Sequence, residues 1–397
     1  MKTRKLLTFL LIVCMSAMLF CSCGNGTEDP SGNAGNGEAT EIISKYGYDL
    51  SKYAALDWPK QKLIGAAMTD SNGAIGAPMR FYFDLISEAS QGNITFDEYW
   101  EGQLCEGADT YENVRDGIAD FGQTPINYEY TPYILYQVCF TLPFVSTDGT
   151  VTEKSLKTLR ENFPEFEERD NANGIHVAMI SGEANYQVPT TDKLDPDKFD
   201  LSWYKGAKLA LGSSFFSKWC ESIGTVPVTG LGAPACYEAY TTGVINGVFG
   251  YASMMYDWQY IEVCKSMIEQ NIGALGGVAS VWNIDTWNSF SPEIQTALDE
   301  LADLALEQYD QWRAEKEAKA NENMYKDGLI KVTLTDADRE AWAEKIFSND
   351  KYNTVKSWIA DAEAEGITNA KEIVQAWAKA QQDNGHTFPY DVAAIVS

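Results

Sequence analysis

Asp200-Leu201-Ser202-Trp203-Tyr204-Lys205-Gly206-Ala207-Lys208-Leu209-Ala210 opens the stretch whose reading decides how this chain folds. Gly224-Thr225-Val226-Pro227-Val228 follows, and then Tyr237-Glu238-Ala239-Tyr240-Thr241-Thr242-Gly243-Val244-Ile245-Asn246-Gly247. The first segment ends in a strand on which Lys208 and Ala210, two residues apart, share a face. The third reads as a helix that stops at the Asn246-Gly247 turn. Upstream, Lys62–Ala67 is a short apolar run that predicts a first strand, and Asp70-Ser71-Asn72-Gly73 predicts a turn. From Ala77 the apolar positions Phe81, Leu85 and Ala89 recur at helical spacing. Ile94-Thr95-Phe96 alternates as a second strand, and Val114–Phe121 carries a helix into a third. Ile175–Ile180 begins another strand, and Asn185–Thr191 crosses into a second lobe. Strands alternating with helices in this way predict an α/β chain with crossover connections.

Residues 290–322 form the longest helical pattern. Ser291 is placed to cap it, Pro292 fits its first turn, and Glu293 puts a negative charge near the positive end of the dipole. Leu298, Leu301, Leu304, Ala305 and Tyr309 make one apolar stripe. At about 1.5 Å per residue such a helix reaches across two lobes. Thr333–Phe347 and Asn353–Glu365 are two more amphipathic helices, predicted to cover the second lobe.

The quoted stretch resembles the signature of the DctP-type solute receptors that serve tripartite ATP-independent periplasmic (TRAP) transporters. That signature is roughly D-L-x-G-x-K-x-R, an x-G-a-x-P-v step, and E-x-Y-x-A-L-q-x-G-v-v-D-G. Gly102-Gln103-Leu104 resembles the family's g-Q-L loop, Val114–Phe121 its x-v-r-x-G-x-x-D-f step, and Leu142-Pro143-Phe144 its L-P-F turn. Trp287-Asn288-Ser289-Phe290-Ser291-Pro292-Glu293-Ile294-Gln295 resembles its w-x-x-L-x-p-e-x-Q motif. The resemblance runs from about Leu63 to about Ala364. It implies a two-lobed periplasmic-binding-protein-like fold, each lobe a mostly parallel sheet flanked by helices, with a long helix bridging both. The expected division is a signal peptide at 1–22, a flexible tether at 23–57, lobe I at 58–184 with 276–312, and lobe II at 185–275 with 313–397. The implied activity is binding without catalysis or cofactor. A small solute enters the cleft, the lobes close, and the closed form docks on a small and a large membrane subunit driven by an ion gradient, usually sodium.

Composition sets the address and excludes several classes. Met1–Lys5 is basic, and Leu6–Leu19 is apolar but short for a membrane span. Phe20-Cys21-Ser22-Cys23-Gly24 resembles the lipobox of a lipoprotein signal, with Cys23 the better acceptor because Ser22 precedes it. The bulky Phe20 and Cys21 depart from the usual box, and plain secretion is the alternative. Acyl chains on Cys23 would anchor the protein at about 0.8 kcal/mol per buried methylene. Residues 24–40 lack aromatic side chains and read as tether. The chain carries a net charge of −27, and loss of Lys2, Arg4 and Lys5 with the signal leaves −30. Such a surface disfavours nucleic acid and anionic headgroups as partners. With 2 histidines, His176 and His386, a histidine-rich metal site or a His-dependent triad is not expected. Cys105, Cys139, Cys220, Cys236 and Cys264 follow no CxxC spacing; Cys220 and Cys236 either form one bridge or stay as buried thiols.

Ligand chemistry belongs at the carboxyl ends of the strands, where two-lobed α/β receptors form their cleft. That rule selects Asp70 after the first strand, Trp100 after the second, and Gln123, Thr124 and Tyr128 after the third. Glu183 and Asn185 lie at the lobe crossing. Ser213 and Phe215 follow Ala210, and Phe249 and Tyr251 follow the Tyr237–Gly247 helix. The family arginine that grips a substrate carboxylate falls on Ala210, which has neither donor nor charge. Lys208, Arg80 or Arg115 is left to supply that charge. In receptors of this family for acidic sugars a second arginine can come from the strand near 183–185, which here reads Glu183-Ala184-Asn185. These departures favour a neutral, zwitterionic or cationic solute over a simple carboxylate, with aromatic residues to stack on it. Two other functions compete: a receptor that presents ligand to a membrane sensor kinase, and an extracellular carbohydrate-active enzyme using two carboxylates. No G-x-S-x-G, phosphate loop, H-E-x-x-H or calcium loop occurs in the chain.

Overall fold

Eleven strands build two sheets in the computed structural model, which describes residues 41–127 and 131–397. In chain order they are β1 (Gln61–Ala66), β2 (Ile94–Tyr99), β3 (Phe121–Pro125), β4 (Ile175–Asn185), β5 (Val188–Thr190), β6 (Lys208–Ala210), β7 (Val226–Val228), β8 (Gly247–Val248), β9 (Ser266–Glu269), β10 (Ala274–Asn283) and β11 (Ile330–Thr333). Lobe I has the order β2-β1-β3-β10-β4, and lobe II has β11-β9-β5-β8-β6-β7. β1 is parallel to β2 and β3, and β6 is parallel to β7 and β8. The exceptions have a common cause. β5 and β10 are the strands by which the chain enters lobe II and returns to lobe I, so each runs antiparallel to its neighbours.

The crossing is sealed by amides. Asn185 and Gln187, leaving lobe I, both donate to the Asn271 side-chain oxygen at 2.8 Å. The Asn271 backbone N–H returns a bond to Gln187 at 3.0 Å. Asn271 and Gly273 take positive φ angles of 52° and 124°, which Asn and Gly adopt most readily.

Among the helices, α1 (Ala77–Ala89), α2 (Thr110–Arg115) and α3 (Gly149–Asn162) flank the lobe I sheet, and α4 (Ser214–Glu221) and α5 (Ala233–Thr241) belong to lobe II. The long helix α6 runs from Pro292 to Lys326. Ser291 caps it by accepting from the Ile294 N–H at 3.4 Å. Helix-end N–H groups hold the Glu293 carboxyl below its ordinary range. Its first half packs Ile294, Leu298, Leu301, Ala305 and Tyr309 into lobe I, and Ala320 and Met324 then enter the lobe II core. One helix therefore braces both lobes.

The C-terminal helices α7 (Asp336–Phe347), α8 (Thr354–Ala364) and α9 (Ala370–Asp383) reach lobe I as well as lobe II. Trp219 of α4 donates to the Thr354 hydroxyl at 3.0 Å, and Thr354 donates onward to the Thr141 carbonyl at 2.6 Å. Trp358 donates to the Ile134 carbonyl at 2.7 Å. Helix α9 lies on α3, where Gln381 accepts from Ser146 N–H and donates to the Ser155 hydroxyl, each at 3.1 Å.

At the other end, the residues expected as tether divide. Positions 41–57 pack on lobe I because Leu50 and Tyr53 supply apolar surface that the 24–40 segment lacks. Cys23 and 24–40 lie outside the described residues. All five cysteines in the described residues are free, so the Cys220–Cys236 bridge is not formed.

Candidate functional site

The carboxyl ends of β3 in lobe I and β6 in lobe II come together where the lobes touch. The Asn127 side chain, after β3, donates to the Gly212 carbonyl, after β6, at 3.0 Å.

The expected site residues divide into three groups. Asp70, exposed in its turn, accepts from Asn72 N–H at 2.8 Å, and Trp100 donates to Glu98 at 2.9 Å at the edge of the cleft. A second group is committed to the fold. The Thr124 hydroxyl bonds the Tyr133 hydroxyl in the lobe I core. Ser213 caps α4 through Phe215 N–H at 3.2 Å, and Asn185 belongs to the crossing amides. Gln123 is fully buried, and among the described residues neither end of its amide has a hydrogen-bond partner. Its cross-strand neighbour Ser280 likewise has an unpartnered hydroxyl. Tyr128 lies outside the described residues.

The third group converges. Phe249 and Tyr251, which follow β8, pack on Tyr186 with ring centroids 6.1 and 5.7 Å away. Phe216 completes the cluster at 5.4 Å from Tyr186 and 5.3 Å from Phe249, and Phe215 joins through Phe140. The Tyr186 hydroxyl donates to Glu183. Tyr186 and Phe216 did not stand out in the sequence, although Tyr186 lies inside the predicted crossing. The Gly276-Gly277 pair carried a further signal, since glycine inside a strand marks a close approach. A Cβ on Gly277 would sit 2.2 Å from the Glu183 Cγ, so only glycine lets that side chain lie flat on β10.

Burial pushes the Glu183 carboxyl up to about 7, while the Tyr186 hydroxyl and the Arg313 charge pull it down. A folded state that holds a carboxyl above its ordinary 4.5 binds more protons than the unfolded chain between those values. Stability from this residue is therefore full below about pH 4.5 and fades as pH rises through about 7. Glu183→Gln is expected to raise stability at pH 8 by on the order of 2 kcal/mol, with little change near pH 5. Thermal melts at the two pH values check this; equal shifts at both would contradict it.

The Arg313 charge is held elsewhere. From α6 it donates to the Gly182 carbonyl and pairs with Glu153 at 3.1 Å and with Asp310. Gly182 N–H also donates to Glu153 at 2.6 Å. One turn on, Glu317 accepts from Ser253 N–H of lobe II at 3.2 Å.

Ala210 is buried in an apolar cluster with Cys236, Ala239 and Val248. Of the three candidate substitutes, Lys208 is solvent-exposed at the far end of β6. Arg80 donates to the Ser71 carbonyl at 2.8 Å and stacks on Phe81. Arg115 pairs with Asp116 at 2.8 Å at the opposite end of lobe I. Two cavities lie away from the cleft. A groove of about 760 Å³ runs between α3 and α6 over the edge strand β4, and one of about 420 Å³ lies behind the crossing beside Arg313 and Glu317. Among the described residues no group of three or more His, Cys, Asp or Glu side chains is arranged to hold a metal ion.

Several solved structures share this architecture. A TRAP periplasmic solute-binding protein from Desulfovibrio salexigens superposes with a TM-score of 0.69 at 21% identity, covering 82% of this chain and 97% of that one. One from Bordetella bronchiseptica, with bound (R)- and (S)-mandelate, gives 0.69 at 20% identity over 82% and 99%. One from Rhodoferax ferrireducens, with copurified benzoate, gives 0.70 at 16% identity over 81% and 98%. The match to a family sequence profile spans residues 70–349, most of the chain. With two sheets, two crossing strands, a bracing helix and this match in place, the chain belongs to the DctP family, bacterial extracellular solute-binding protein family 7.

Proposed function

We propose that this protein is the lipid-anchored receptor of a TRAP transporter, capturing a small organic solute between its lobes and handing it to a small and a large membrane subunit. Cys23 carries the lipid, and residues 24–40 tether the folded unit to the outer face of the cell membrane. The solute meets residues at the strand ends, with Glu183, Phe249 and Tyr251 at the centre and Asp70 and Trp100 at the margin. The solute is neutral, zwitterionic or cationic.

One observation carries the ligand class. Where the family places its carboxylate-gripping arginine, Ala210 is sealed in an apolar cluster, and a carboxylate, Glu183, stands at the second arginine position. The related structures hold mandelate, benzoate or pyroglutamate, all acids. A carboxylate entering here would meet a second, buried carboxyl group and no bidentate donor.

Mass spectrometry of whatever co-purifies with the mature chain identifies the solute directly. Adding that solute is expected to reduce the X-ray scattering radius as the lobes close, and at 100 times its dissociation constant to stabilise the fold by about 2.7 kcal/mol. Binding without any change in radius would contradict hinge closure. A simple monocarboxylate as the tightest ligand would overturn the proposed solute class.

A further inference from the structure

We infer that the solute is an alkylated organic ammonium, such as a trimethylated or ring-substituted cation, seated with its charge on Glu183 and its alkyl groups on the rings of Tyr186, Phe249 and Tyr251. This deepens the receptor reading above and rests on it.

The first support is an unpaired charge. Among the described residues, no lysine or arginine nitrogen lies within ion-pair distance of Glu183. The nearest cation that acts on it, Arg313, is fixed by Glu153, Asp310 and the Gly182 carbonyl. Among the described residues, the one hydrogen-bond partner of the Glu183 carboxylate is the Tyr186 hydroxyl. Yet Glu183 keeps part of its surface accessible while lying flat on Gly277. A desolvated carboxylate there favours a cation.

The second support is the nature of the walls. Tyr186 stands 5.4, 6.1 and 5.7 Å from Phe216, Phe249 and Tyr251, and Phe216 lies 5.3 Å from Phe249, in tilted and edge-to-face pairs. Ring faces attract cations, and more strongly once water is excluded. A primary ammonium has three N–H donors to satisfy. Here the donors would find one carboxylate and tyrosine hydroxyls among otherwise apolar rings. An alkylated ammonium presents methyl groups to the rings and a diffuse charge to the carboxylate, leaving no donor unsatisfied.

The test is isothermal titration of the soluble mature chain (residues 24–397) with choline and trimethylglycine, alongside 3,3-dimethylbutan-1-ol, the neutral carbon isostere of choline, and benzoate. At least one ammonium probe is expected to bind about tenfold or more tighter than the neutral isostere. Glu183→Gln is expected to erase that advantage while thermal melting shows an intact fold, and Phe249→Leu to weaken both ammonium probes. An isostere that binds as well as choline, undiminished affinity in Glu183→Gln, or no ammonium binding would overturn the inference. Benzoate binding with a reduced scattering radius would do the same while leaving the receptor reading intact. The receptor reading itself fails if no fraction of a cell extract shifts the melting temperature or the radius.

Discussion

Arg313→Met is expected to destabilise the protein by about 3–5 kcal/mol, read as a lower urea midpoint with an unchanged slope. The guanidinium is 6 % exposed and ties three elements together: Glu153 of α3, the Gly182 carbonyl of β4, and Asp310 of its own helix. Methionine matches its bulk but leaves the buried Glu153 carboxylate without its cation, and burial already pushes that carboxyl well above its ordinary range. The loss comes from the uncompensated group more than from the lost attraction. Exchanging both partners for apolar ones, Arg313→Met with Glu153→Leu, is therefore expected to recover at least half of the lost stability. A double variant as unstable as the single one would show that the ion pair itself carries the energy.

Trp358→Ala is expected to cost a similar amount, about 3–5 kcal/mol. The indole is fully buried in α8 and donates to the Ile134 carbonyl of lobe I at 2.7 Å. Truncation opens a cavity and strands that carbonyl. Trp358→Phe fills most of the space and loses mainly the hydrogen bond, so its cost should fall nearer 1–2 kcal/mol. Equal effects of the two substitutions would place the energy in the hydrogen bond and not in the packing.

What was legible in the sequence follows from how local each signal was. The long helix was readable because Ser291-Pro292-Glu293 and the Leu298–Tyr309 stripe are contained within it. The first three strands fell within a few residues of their predicted ends because turns and glycines bound them. β4 was read as beginning at Ile175 and runs to Asn185, since a strand that continues into a crossing has no turn to end it. At the site, local spacing selected strand ends but not the direction of each side chain. Ser213 looked like a ligand donor and is a helix cap; a serine directly before an amphipathic helix carries that meaning in sequence too. Thr124 turned inward to Tyr133, and Ala210 turned toward α5, contacts between residues distant in sequence or on opposite sides of a sheet. The pairing of Glu183 with Gly277 joins residues on two strands that cross between lobes, and no spacing rule reaches that far.

The Thr354 hydroxyl, bonded on one side to Trp219 of lobe II and on the other to Thr141 of lobe I, has a mechanical meaning. It is a pivot. Arg313 and Glu317, a turn apart on α6, make a second one on the opposite flank, since one grips Gly182 of lobe I and the other Ser253 of lobe II. A rigid rotation that keeps both pivots intact turns about the line that joins them, as a door turns on two pins. Glu183, next in the chain to the Gly182 that Arg313 grips, lies close to one end of that line and would move little in such a turn. Any opening of that kind would have to break the Asn127–Gly212 hydrogen bond, which joins the strand ends of the two lobes. The carboxyl proposed to choose the solute would thus hold its place while the lobes part around it.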